Sequence, residues 1–227
     1  MNNPASTPTD LSQPSSDSQP STSKSVLHWN WVAFILVYTI LVKLLPYILF
    51  QYGMDVEKNF AIYPWNFTPM FAVCLFGGAF YQSRVSALLI PMGLMLVADL
   101  GIWAVTGKAD WAFYGVDQFV VYGALALCAA IGFFLRNHRR VQHIAFAGIA
   151  SCLSFYLITN YAVWLGSTTY PQNAQGLLAC YIAALPTLRN SLIATGLFSA
   201  VLFSPMCVSL MAPAARSANT LAPAQST

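Results

Sequence analysis

At 227 residues, 57% hydrophobic and only 7% charged, with a net charge of +3, the chain has too few charged groups to cover a water-facing surface. Soluble domains usually carry about a quarter charged residues. Composition therefore excludes an ordinary soluble domain and places most of the chain in lipid, and no run of basic residues alternating with aromatics points to nucleic acid.

Residues 1–25 are Ser, Thr, Pro, Gln and Asn with almost no apolar content, a composition expected to form a disordered tail. Six apolar blocks follow: Asn30 to Tyr52, Phe67 to Tyr81, Val85 to Thr106, Phe119 to Leu135, Ile144 to Leu165 and Ser191 to Met211. Most have about the twenty residues that a helix needs to cross a hydrocarbon core of about 30 Å. Phe67 to Tyr81 is short and contains Gly77-Gly78, so it is tilted or extended by Tyr63-Pro64-Trp65. Ala174 to Leu185, ahead of Pro186, reads as a short helix at the membrane interface or dipping into it. The expected fold is an all-α, polytopic membrane protein of about six transmembrane helices over residues 26–211, with a second disordered tail at 212–227.

Orientation follows from the basic residues, which favour cytoplasmic loops. Lys24, Arg84, Arg136, Arg139, Arg140 and Arg216 fall on one side of a six-span arrangement, against Lys58 and Lys108 on the other. Both termini are expected in the cytoplasm.

Polar residues that do not belong in lipid gather towards the opposite, outer side. Asp99 lies roughly 10 Å and Asn160 roughly 8 Å inside the outer ends of their helices. Asn66 and Thr68 open the second span, Asp117 the fourth, and Arg189-Asn190 the sixth, with Lys43 in the outer half of the first. An ionisable group at the centre of a membrane helix costs at least about 2.5 kcal/mol, so it faces a partner, the bundle interior or water. Two readings stand for Asp99: a structural ion pair with Lys43 or Arg189, or a ligand contact. Lys43 and Arg189 also have the reach to snorkel to headgroups, and Asn160 to bond a neighbouring helix. Outer tryptophans and tyrosines suit an interfacial belt, although Trp103 and Trp164 each lie one turn from a polar candidate and could stack on a flat ligand. Together Asn66, Thr68, Asp99, Asn160, Trp164, Arg189 and Asn190 are expected to line one outward cavity for a small polar or ring-bearing molecule.

Catalytic and metal chemistry finds no constellation. The histidines, His28, His138 and His143, sit at the cytoplasmic edge, and Asp99 has no second intramembrane acid near its depth except the boundary residue Asp117. Cys74, Cys128, Cys152, Cys180 and Cys207 are single residues in or beside apolar runs, read as small buried hydrophobes. No cofactor is expected.

Three segments carry a resemblance: Pro64-Trp65-Asn66-Phe67-Thr68-Pro69 leading into Phe76-Gly77-Gly78-Ala79; Phe155-Tyr156-Leu157-Ile158-Thr159-Asn160 with Trp164; and Tyr170-Pro171 through Gly176-Leu177-Leu178-Ala179-Cys180-Tyr181 to Pro186 and Arg189-Asn190. Over roughly residues 60–205 the chain resembles a family of uncharacterised bacterial six-helix membrane proteins. Helix count, topology and outward site make that family loosely similar to the substrate-binding subunits of energy-coupling-factor vitamin transporters. The resemblance implies a bacterial inner-membrane protein that captures a small molecule and passes it on when docked to an ATP-driven energising module. One feature departs from it: those subunits carry small residues at four-residue spacing on the first helix, where this chain has Phe34, Val37, Tyr38 and Leu41. The alternative is a non-transporting membrane scaffold or assembly protein whose polar residues hold helices together.

Overall fold

The computed structural model describes residues 22–53, 66–113 and 115–208. Within them every regular element is an α-helix: α1 (Thr22–Gln51), α2 (Met70–Phe80), α3 (Arg84–Thr106), α4 (Ala109–Ala112), α5 (Val116–Phe134), α6 (Val141–Gly166), α7 (Ala174–Leu202) and α8 (Pro205–Val208). Most of the two expected tails, residues 54–65, and Tyr114 lie outside the described residues, while the first helix already starts at Thr22. Four segments are long and apolar enough to cross a membrane: Ala33–Gln51, Arg84–Thr106, Ala109–Phe134 and Val141–Gly166. A fifth is formed if Ala174–Ala183 and Leu185–Leu202, inclined at 45° to each other, count as one span.

Two of the expected blocks take other forms. The second is a helix of only 11 residues. At 1.5 Å per residue it covers about half of a hydrocarbon core. Ahead of it, Asn66 adopts a left-handed φ of 59° and Pro69 stands at the N-cap, so the chain enters the bundle as irregular backbone. Every residue from Met70 to Ala79 is buried. A helix that is apolar all round belongs inside protein, and α2 accordingly fills the axis of the bundle. The second correction concerns α7. Ala174 to Leu185 and the block beginning at Ser191 form a single bent helix rather than a short helix, at the interface or dipping into it, followed by a separate span. Pro186 lacks the N–H for one helical bond and its ring crowds the preceding turn, which bends the helix without ending it.

Cross-contacts set the relative heights. Ile35 of α1 clusters with Leu202 of α7, and Tyr38 packs 5.5 Å from Phe198. Higher up, Lys43 meets Asp99, and the Gln51 side-chain amide donates to the Val105 carbonyl at 3.0 Å. The lower portion of α1 and the end of α7 thus share one end of the bundle with Arg84, Arg136, Arg139 and Arg140. Lys108, Asp110 and Asp117 share the other.

At the arginine end α2 is anchored through the carbonyls of its last turn and C-cap. Arg136 donates to the carbonyls of Gly78 (2.9 Å) and Tyr81 (2.8 Å), and the guanidinium of Arg139 covers the Phe80 ring at 4.4 Å. Cations there satisfy orphan carbonyls and offset the negative end of the helix dipole.

Between α2 and α5 the backbones come into contact because neither helix carries a side chain at the crossing. A Cβ on Gly78 would stand 2.5 Å from the carbonyl oxygen of Ala129 and 2.8 Å from the Cα of Gly132. A Cβ on Gly132 would in turn stand 2.9 Å from the carbonyl oxygen of Leu75. Small residues at a helix crossing are the usual way to gain close packing where lipid supplies no hydrophobic drive. All five cysteines are free and buried, and Cys74, Cys128 and Cys152 pack in one cluster with Met70, Phe71 and Leu125.

Candidate functional site

Three helices contribute pairs of residues one turn apart to the interior: Thr39 and Lys43 on α1, the thioether Met95 and the carboxylate Asp99 on α3, and Gln118 and Tyr122 on α5. Asp99 is fully buried. Its Oδ1 pairs with the Lys43 ammonium, and its Oδ2 accepts from Gln118 Nε2 and from the Tyr122 hydroxyl, both at 3.1 Å. Among the described residues this is the sole ion pair. Lys43 also lies 3.0 Å from the Met95 sulfur. A buried charge is tolerated when a counter-charge and hydrogen bonds replace the lost water, and Asp99 has all of these.

Lys43 keeps 22% of its side chain exposed. Beside it is a cavity of about 100 Å³, lined by Thr39, Lys43, Asn66, Thr68, Met70, Phe71, Met95, Leu125 and Phe155. The first turn of α2 forms part of that wall. Pro69 offers no side chain to cap it, and the Met70 N–H is 3.3 Å from Thr68 Oγ1. A helix start carries orphan N–H donors and about half a positive charge. Because α2 is half-length, this charge sits deep in the bundle, level with Thr39 and Lys43.

The seven residues expected to line one pocket divide into groups. Asn66 and Thr68 line the cavity, and Asp99 borders it through Lys43. Asn160 does not line it: its amide donates to the Tyr156 carbonyl of its own helix at 2.8 Å, and its backbone carbonyl lies 3.5 Å from Cys180 Sγ. Trp164 fastens the α6–α7 connection, donating from Nε1 to the Pro171 carbonyl (3.0 Å) while its own carbonyl accepts from Gln172 Nε2 at 2.7 Å. Arg189 is exposed on α7 beside Leu185, Pro186 and Ile193, away from Asp99, and the neighbouring Asn190 is half-buried outside the cavity. Trp103 is 49% exposed on α3. Of the two expected partners of Asp99, Lys43 is the one that reaches it.

Gln118, Tyr122, Thr39 and Met95 were not among the expected site residues. Their signal was the one-turn spacing to another polar or polarizable residue, on α5, α1 and α3 respectively.

A family model matches residues 23–216 of the 227. The chain belongs to DUF6580, a family of unknown function. No curated protein and no solved structure matches it. The DUF6580 match extends over all three segments of the expected resemblance to an uncharacterised family, and over the cavity and the Asp99 cluster.

Proposed function

We propose that this DUF6580 protein is a membrane transporter, or the substrate-binding subunit of one, that takes a small carboxylate-bearing molecule into the cavity at the start of α2. The observation that carries this reading is a half-length helix whose N-terminus opens deep in the bundle beside Lys43, Asn66 and Thr68. Discontinuous helices of this kind present their positive ends to anionic substrate groups in many transporters. Backbone N–H groups, the Lys43 ammonium and the Asn66 amide supply donors, and Phe71, Leu125 and Phe155 supply apolar walls. A volume of about 100 Å³ is well below the 300–1,000 Å³ of drug-sized sites, which favours a short carboxylate. In this reading Asp99 holds Lys43 in place, while Asn160, Trp164, Arg189 and Asn190 serve packing and the α6–α7 connection. An ATP-driven energising module is the partner that the resemblance to vitamin-transporter subunits supplies.

The membrane is a bacterial inner membrane in this proposal, with the arginine end in the cytoplasm. Reporters inserted at Asn137 and fused after Thr227 should read cytoplasmic, and one at Ala174 external. An external signal at Asn137 would reverse the direction of access.

Access itself is tested by labelling. With the five native cysteines replaced, Thr68→Cys should react with a membrane-impermeant thiol reagent added to intact cells, and a panel of short carboxylates should include one that slows the reaction. Lys43→Gln should weaken that protection about tenfold or more, since a hydrogen bond to a charged group contributes roughly 1.5–3 kcal/mol. An unreactive Thr68→Cys beside a freely labelled Thr168→Cys would rule out a cavity reached from that side.

A further inference from the structure

A second concavity, unrelated to the Lys43 cavity, runs between α6 and α7 at the arginine end. It is a groove of about 620 Å³, with Gly148 and Ile149 on one wall and Leu192 and Gly196 on the other. Missing side chains create it: a Cβ on Gly196 would meet nothing within 4 Å. Set in this apolar lining is Ser199, only 5% exposed, whose Oγ has no hydrogen-bond partner. An unmet hydroxyl that is this buried costs free energy unless something outside the chain accepts from it.

The mouth is cationic. Arg139 lines it, held flat over Phe80 and bonded at 3.4 Å to the Ala79 carbonyl, with five N–H donors in its fork. The first turn of α6 reaches the same mouth through Val141, and its N-cap, Arg140, supplies no side-chain cap. A guanidinium and a helix N-terminus together favour a phosphate.

We infer that this groove binds one anionic phospholipid, with its phosphate at Arg139 and the start of α6, a glycerol ester carbonyl accepting from Ser199, and an acyl chain along Gly148, Ile149 and Gly196. Hydrocarbon walls, a buried donor partway along and a basic mouth match such an amphiphile in that order. Basic pockets between membrane helices on the cytoplasmic side take anionic headgroups by the same chemistry. A packed protein helix would fill the walls and leave the cationic mouth without an anion.

The test is native mass spectrometry of the full chain in detergent, offered equimolar phosphatidylglycerol and phosphatidylcholine of matched chains. One phosphatidylglycerol should be retained in preference, unaffected by millimolar inorganic phosphate. Arg139→Gln should cut its retention about fivefold, Arg139→Lys should keep most of it, and Gly196→Leu should abolish it. Unchanged helicity and melting of each variant in the same detergent separate loss of binding from loss of fold. Equal retention of both lipids, displacement by phosphate alone, or retention indifferent to Arg139→Gln and Gly196→Leu would each overturn the inference. A dimer that disappears in Gly196→Leu would overturn it too, by assigning the groove to a second copy of the chain.

Discussion

Asp99→Leu should destabilise the protein by about 3–5 kcal/mol, the range for removing one partner of a buried ion pair. The substitution strands the Lys43 ammonium inside the bundle and leaves Gln118 and Tyr122 without the oxygen they both donate to. Lys43→Met should also be costly, because it leaves a fully buried carboxylate with only neutral donors. The double variant Lys43→Met, Asp99→Leu should recover the part of the loss that comes from an unpaired charge, since apolar replacement of a buried ion pair is often neutral or stabilising, and keep the part that comes from the unmet Gln118 and Tyr122 donors. The measurement is the thermal midpoint in detergent, followed by the monodisperse fraction on gel filtration. Additive losses would show that the pair is not energetically coupled. A recovered double variant would also separate the two roles of Lys43, because a chain that melts normally yet no longer protects Thr68→Cys has lost the ligand and kept the fold.

The second large effect is expected at the crossing of α2 and α5. Gly132→Ala and Gly78→Ala each drive a methyl group into backbone, against the carbonyl of Leu75 in one case and of Ala129 in the other. Backbone cannot rotate aside as a side chain does, so the helices must separate. Loss of about 3 kcal/mol, the upper part of the range for overpacking, should appear as a lowered melting temperature. Gly93→Ala and Gly123→Ala are the controls: a Cβ at either position meets nothing within 4 Å. They should be neutral or stabilising by up to about 1 kcal/mol, since alanine is the better helix former. Equal destabilisation at all four positions would show that chain flexibility matters at these glycines and close approach does not.

Much of the fold can be read from hydropathy alone. The blocks around α1, α3, α5 and α6 are each long and apolar enough to cross a hydrocarbon core by themselves, so hydropathy finds them directly. α2 and α7 escape that logic. The apolar content of α2 is high because the bundle surrounds it on all sides, and hydropathy does not distinguish burial in protein from burial in lipid. α7 looks divided because Pro186 interrupts the pattern, although packing on both sides of the bend carries the helix through it. For the site, height was legible and rotation was not. Counting residues along a helix placed Lys43 and Asp99 near each other. The same counting put Asn160, Trp164 and Arg189 at matching depths on faces that point elsewhere. Asn66 and Thr68 lie deeper than expected because α2, which they precede, is only 11 residues long and begins inside the bundle.

The half-length of α2 also bears on how the chain is assembled. Eleven residues are too few to hold a stable position across a bilayer on their own, so α2 cannot settle when it is synthesised. Its most extensive partner is α5, and it also packs against α3, α6 and α7, all of which follow it in the chain. The helices made later must therefore arrive before the axis of the bundle is filled. A nascent chain stopped after α3 would still have α2 waiting for its place, an obvious substrate for membrane quality control.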